Sequence, residues 1–172
     1  MDALEAMLTR RSIRRYTGEP VPDELIQPLL EAAMSAPSAG NEQPWQFIVM
    51  TERRLLDEIP AFHPYADMLR EAPLAILVCG DVRLERYKGY WVQDCSAATE
   101  NLLLAAHSMG LGAVWVGVYP KEDRVQRLQK LLNLPAHVIP LALVPIGYPA
   151  ERIPPAHRLD ATRIHLNGWQ QA

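Results

Sequence analysis

The segment from about residue 88 to 109 constrains the fold of this chain more than any other. It reads as one long helix, and Ala97, Ala98, Leu102, Ala105 and Ala106 give it a small or apolar stripe along one side. MGLG ends it, and Gly110 can take the left-handed conformation that closes a helix. The apolar runs on either side are too short for helices and read as strands: LAILVCG at 74–80 before it and AVWVGV at 113–118 after it. A long helix with an inner stripe, set between two strands, belongs in a core where helix packs on sheet.

The remaining elements fit that layout. Residues 2–11 read as a short helix with Leu4, Met7 and Leu8 on one face. Residues 22–36 read as a stronger one, with Asp23 and Glu24 at its positive end, although Pro28 inside it predicts a bend or a tightened first turn. WQFIVM at 45–50 is strand-like, a further helix spans about 121–132, and a last strand lies near 138–147. The tail from Tyr148 carries Pro149, Pro154 and Pro155 with little periodicity, so it needs a surface to pack on, such as a partner subunit. There is no internal repeat and no linker-like gap, and 172 residues suffice for one core. The expectation is a single domain over 1–172, α+β or α/β.

Charge and composition remove several function classes. A net charge of −3 offers no footprint for nucleic acid. The N-terminal MDALEAMLTRR carries acids and no continuous apolar stretch, unlike a signal peptide, and the longest apolar runs are too short to span a bilayer. Cys79 and Cys95 belong to no metal or redox motif and read as reduced structural thiols of a cytoplasmic protein. The five histidines show no metal-ligand spacing. GLGAVWVG lacks the third glycine of a dinucleotide fingerprint and leads into a strand, and neither a Walker A motif nor a nucleophile elbow occurs.

Two stretches carry chemistry. RRSIRRY, residues 10–16, joins the first helix to an extended segment, and its guanidinium forks with the Ser12 hydroxyl suit a phosphate. The competing account is a solvated basic helix end that balances the helix dipole. APSAGNEQPWQF, residues 36–47, sets Pro37, Ser38, Gly40, Asn41, Gln43 and Pro44 in a row and ends them on Trp45. Proline and glycine explain a loop, but not the succession of side-chain hydrogen-bonding groups leading to a large aromatic.

These stretches, followed in order by WVQDCSAATENLLLAAHSMGLGAVWVGVYP and IPLALVPIGYP, closely resemble the nitroreductase family of FMN-dependent oxidoreductases over nearly the whole chain. The resemblance implies an α+β fold with a central, mainly antiparallel sheet flanked by helices, in an intertwined homodimer. It implies bound FMN at the subunit interface, NAD(P)H as a transient electron donor, and a small oxidised acceptor such as a nitroaromatic or a quinone, with ping-pong kinetics. Position by position, Arg10, Arg11 and Ser12 would hold the FMN phosphate and ribityl chain, and Arg158 would reach back to the phosphate. Arg14 would sit near the pyrimidine edge, where a guanidinium stabilises the anionic reduced flavin. The backbone at Val116 and Gly117 would approach the ring near N5, and Pro37, Ser38, Ala39 and Asn41 would line the flavin of the partner chain. Trp45 would be structural.

Three features depart from that pattern. Residues 60–72 offer no lysine where some relatives place a second cation, the helical insertion that covers the site in larger members is missing, and His157 stands beside Arg158. Two other readings therefore stay open: a flavin-binding protein without turnover, and a flavin-fragmenting enzyme of the cobalamin-precursor type.

Overall fold

In the computed structural model, which describes residues 1–169, a five-stranded sheet runs through the middle of the chain. Its strands are β1 (Trp45–Met50), β2 (Leu74–Asp81), β3 (Gly112–Ala113), β4 (Val116–Gly117) and β5 (Val138–Gly147). The order is β1-β2-β5-β3, β4 also pairs with β5, and every ladder is antiparallel. The expected α+β sheet is therefore the observed one.

β2 explains why its sequence reads as an unbroken apolar run. Leu74, Ile76 and Val78 point into one cluster with Leu29 and Ala33 of α2 (Asp23–Met34) and with Ala98, Leu102 and Ala106 of α4 (Trp91–Ser108). Ala75, Leu77 and Cys79 point into a second cluster with Leu56 of α3 (Arg53–Glu58), Leu69, and Leu128 of α5 (Glu122–Leu131). A strand covered on both faces has no reason to alternate with polar residues. The expected inner stripe of α4 is buried at Ala98, Leu102 and Ala106 and half-buried at Ala97 and Ala105. The Asn101 amide donates to the Ala32 carbonyl at 3.0 Å and ties α4 to α2, which continues through Pro28. Gly110 closes α4 with φ +78°. The two cysteines are free and buried, and the Cys95 thiol of α4 donates to the Cys79 carbonyl of β2 at 3.4 Å.

Two expectations differ from the structure. Two two-residue strands, β3 and β4, stand where one strand over 113–118 is expected. The register Ala113↔Ile146 and Val116↔Leu143 puts Pro145 opposite Val114, and proline has no N–H to continue the ladder. The second difference is α1 (Ala3–Thr9), whose Leu4, Met7 and Leu8 are exposed while only Ala6 is buried. α2 and α4 already close that face of the sheet, and among the described residues the apolar side of α1 is left largely uncovered. The tail behaves alike: Leu159, Ile164, Leu166 and Trp169 all stand exposed.

Candidate active site

The extended segment after α1 runs beside the sheet edge. Ser12 bridges Ala113, the Ile13 N–H donates to the Ala113 carbonyl at 3.0 Å, and Ala150 N–H donates to the Arg15 carbonyl at 2.9 Å. Gly112 permits this approach, because a Cβ there would come within 2.6 Å of the Ile13 Cγ2 atom. With Ile13 turned inward, Arg14 is exposed, and both Arg14 and Arg15 N–H groups donate to Glu151 Oε1 at 2.5 and 3.1 Å.

Arg14 lines a concavity of about 290 Å³ together with Tyr65, Met68, Trp115, Val116 and Gly117. Its guanidinium has no hydrogen bond or ion pair among the described residues. Gly117 forms the floor, exposed, and a Cβ added there would meet no atom within 4 Å. Packing within the chain therefore does not call for a glycine at this point; its effect is to leave the backbone face open. The carbonyl of Gly117 is fixed from behind by His63 Nε2 and Arg124 Nη1, each at 2.9 Å. His63 is 1% exposed. The Tyr65 N–H donates to its Nδ1 at 3.3 Å, which assigns the ring proton to Nε2 as the donor to Gly117. Burial holds the His63 imidazole below its ordinary pKa, the nearby Arg124 adds to that, and the bond to Gly117 opposes it. Arg124 also lies 5.5 Å above the Tyr65 ring, which is largely exposed at the mouth of the hollow.

The other expected residues lie in three places. Arg10 is half-buried in an ion pair with Glu100 at 3.2 Å. Arg11 faces a second hollow, of about 440 Å³, with Thr9, His107, Gly110 and Arg152, and its Nε is buried without a partner. Arg158 is exposed in the tail and pairs with nothing among the described residues. The structure thus brings Arg14, Val116 and Gly117 together and leaves Arg11 and Arg158 apart from them.

Pro37, Ser38, Ala39 and Asn41 form a separate, well-held loop that does not line the Arg14 hollow. Residues Ala39–Asn41 make a 3-10 turn in which Gly40 and Asn41, and then Gln43, take positive φ of 52°, 55° and 48°. Ser38 Oγ accepts the Gln43 N–H at 3.1 Å, and the Gln43 amide donates to Asn41 Oδ1 at 2.8 Å, which occupies the polar groups that the sequence placed in a row. Beneath the loop, Asp94 Oδ1 accepts the Ala39 N–H at 2.9 Å. Trp45 begins β1 and is buried, as its structural assignment requires. His63, Arg124, Glu42 and Asp94 were not singled out by sequence: each is one polar residue in an unremarkable stretch, and only the fold gives it a partner.

Comparison with known proteins places this geometry. The model of the Nitroreductase family matches residues 7–148. A Methanothermobacter thermautotrophicus protein, provisionally named an NADH dehydrogenase/NAD(P)H nitroreductase, is 56% identical over 169 residues, covering 98% of this chain and 88% of its own. A Desulfovibrio desulfuricans protein, provisionally named a nitroreductase and solved in complex with FMN, is 34% identical with a TM-score of 0.84 over 99% of both chains. The Vibrio harveyi NADPH:FMN oxidoreductase, solved with NAD+, is 26% identical with a TM-score of 0.86 over 99% of this chain and 79% of its own. No helix among the described residues is long and apolar enough to cross a membrane. With its family pattern continuous from α1 into the end of β5 and its fold shared over nearly the whole length, this chain belongs to the nitroreductase family.

Proposed function

We propose that this protein is an FMN-dependent NAD(P)H oxidoreductase that delivers electrons to a small oxidised acceptor, a nitroaromatic, a quinone or a similar compound, in ping-pong order. One observation carries the reading: an unpaired Arg14 guanidinium faces a hollow floored by the exposed, side-chain-free Gly117. A flat, electron-accepting ring needs an open backbone edge on one side and a fixed cation near its developing charge. The buried, unpartnered Nε of Arg11 likewise fits an anionic group such as a phosphate. When bound, FMN would supply the two-electron chemistry that no side chain here can.

In this reading Arg10, Arg11, Ser12 and Arg158 grip the phosphate and ribityl chain, and Val116 and Gly117 present backbone to the ring. Arg14 stabilises the negative charge of the reduced form. Pro37, Ser38, Ala39 and Asn41 serve the flavin of the second subunit in a homodimer. Two observations support that assembly: these residues stand outside their own chain's Arg14 hollow, and apolar surface on α1 and the tail lies uncovered. The chain is then one cytoplasmic domain over residues 1–172, with each site made from two copies.

The test is the absorption spectrum of the purified protein, followed by anaerobic titration with NADH and with NADPH. The expected result is bound FMN, reduced by at least one nucleotide and reoxidised by an acceptor, with much weaker affinity for riboflavin. Failure to take up FMN would refute the reading. FMN that is bound but never reduced would indicate a carrier, and oxygen-dependent loss of FMN without added acceptor would indicate flavin fragmentation.

A further inference from the structure

Two acidic side chains lie buried beneath the 37–41 loop. Glu42 is 8% exposed and Asp94 is 4% exposed. One oxygen of each is accounted for. Glu42 Oε2 accepts the backbone N–H groups of Arg86 and Tyr87 at 2.6 and 3.1 Å, and Asp94 Oδ1 accepts the Ala39 N–H at 2.9 Å. The other two oxygens, Glu42 Oε1 and Asp94 Oδ2, are buried with no donor among the described residues. The two carboxyl groups are near enough that each bears on the other's proton affinity, Glu42 raising Asp94 and Asp94 lowering Glu42. Two ionised carboxylates cannot sit side by side away from water without a donor between them.

The groups around them do not supply one. Arg86 is the cation near Glu42, and what it gives Glu42 is its backbone N–H. Glu85 adds a further negative charge near Asp94, and the Cys95 thiol, pushed up in pKa by burial, donates to the Cys79 carbonyl instead. A proton held between the two oxygens would serve as that donor.

We propose that Glu42 and Asp94 share one proton, held between Glu42 Oε1 and Asp94 Oδ2, and that this pair positions the 37–41 loop. Asp94 is the acid and Glu42 the carboxylate. Burial and the neighbouring Glu42 and Glu85 raise the Asp94 pKa, and the bond from Ala39 offsets this only in part. Burial also works to raise Glu42, but the N–H groups of Arg86 and Tyr87, the Asp94 hydroxyl and the Arg86 charge outweigh it and hold Glu42 low.

One proton thereby joins three pieces of chain: the loop through Ala39, the segment after β2 through Arg86 and Tyr87, and the first turn of α4 through Asp94. Tyr87 also covers the loop, since a Cβ on Gly40 would come within 2.5 Å of its ring. The stabilisation from Asp94 is complete below the ordinary aspartate range and is lost as pH rises through its raised pKa. That from Glu42 is present above the ordinary glutamate range and is lost as pH falls through its depressed pKa. Deprotonating the pair puts two negative charges in contact and drives Glu42, with its loop, away from α4. That this weakens FMN as pH rises rests on the flavin reading above; the shared proton itself does not.

The variants D94N and E42Q test this, because each amide puts an N–H where the proton lay. In the double variant two N–H groups face each other with no acceptor between them. Infrared spectra of the purified wild type should show a protonated-carboxyl band that outlasts the ordinary aspartate and glutamate range as pH rises, shifts in D2O and is missing there from both single variants. Each single variant should unfold in urea near the wild-type midpoint, and the double variant should lose more than the two singles summed. A wild type without that band, or a double variant whose losses merely add, would overturn the proposal. If the band behaves as expected, FMN dissociation separates the two ideas. Wild type should release FMN as pH rises while D94N retains it, and equal pH dependence in both would sink the loop's role at the flavin while leaving the shared proton in place.

Discussion

His63→Ala should cost about 2–4 kcal/mol of stability and loosen the floor of the Arg14 hollow. The magnitude follows from what the ring touches. It donates to the Gly117 carbonyl at 2.9 Å and accepts the Tyr65 N–H at 3.3 Å, and each such bond contributes about 0.5–1.5 kcal/mol. The ring is 1% exposed, so its removal also leaves a hole, and truncation of a buried side chain adds about 1 kcal/mol or more. Arg124 still holds the Gly117 carbonyl at 2.9 Å, which keeps the total from rising further. A second signature comes from protons. The pKa of His63 is depressed by burial and by Arg124, so the folded protein binds fewer protons here than the unfolded chain. Its stabilisation is complete above the ordinary histidine value and is lost as pH falls through the depressed one, with a slope of at most about 1.4 kcal/mol per pH unit. His107, lowered by burial and by Arg10, adds a contribution of the same sign. His63→Gln should therefore reduce the slope between about pH 5 and pH 7 without abolishing it. Urea unfolding at steps across that range measures both effects. An alanine variant as stable as wild type, with an unchanged slope in the glutamine variant, would show that His63 is no clamp.

Three other outcomes are expected. Arg14→Ala should lower the reduction potential of bound flavin and slow hydride transfer more than it weakens FMN binding, and an unchanged potential would reduce Arg14 to a surface charge. Gly80→Ala should destabilise by about 1–3 kcal/mol, because its Cβ would come within 2.4 Å of the Trp91 ring inside the core, and a wild-type urea midpoint would contradict that packing. Two inactive proteins, Arg10→Ala/Arg14→Ala and Ser38→Ala/Asn41→Ala, refolded together should recover part of their FMN binding and turnover if each site draws on two chains. Heterodimers that form without recovering any would show that the loop does not serve the neighbouring flavin.

Much of the fold was legible because it follows from burial. β2 and β5 lie between two helical layers and read as continuous apolar runs, while α4 shows its small inner stripe. The break at Val114 was not legible, since it depends on Pro145 lying opposite, and that pairing is set by register across more than thirty residues. The exposure of Leu4, Met7 and Leu8 was hidden for a related reason. Periodicity identifies an apolar face but not whether this chain or another covers it. At the site, RRSIRRY and the 36–47 loop announce themselves by composition. His63, Arg124, Glu42 and Asp94 act through one carbonyl or one proton each, and such partnerships leave no trace in spacing.

The structure separates the arginines of the basic run, which on sequence alone reads more readily as a solvated helix end. As a solvated helix end, RRSIRRY should have equivalent arginines balancing the α1 carbonyls. They are not equivalent. The α1 end is capped by the Arg10 N–H on the Ala6 carbonyl, and the Arg10 side chain turns to Glu100. Arg15 pairs with Glu71 at 3.0 Å. Two of the four charges are thus neutralised locally, in a chain whose overall balance is already acidic. Among the described residues Arg14 is left without a partner beside the open Gly117 edge, and the Arg11 Nε is left buried with no acceptor. A charge balanced by the protein's own carboxylates is not available to a ligand, whereas an unbalanced cation at a concave edge is free to take an anion. Local ion pairs therefore account for Arg10 and Arg15, while Arg11 and Arg14 remain available for the anionic cofactor proposed above.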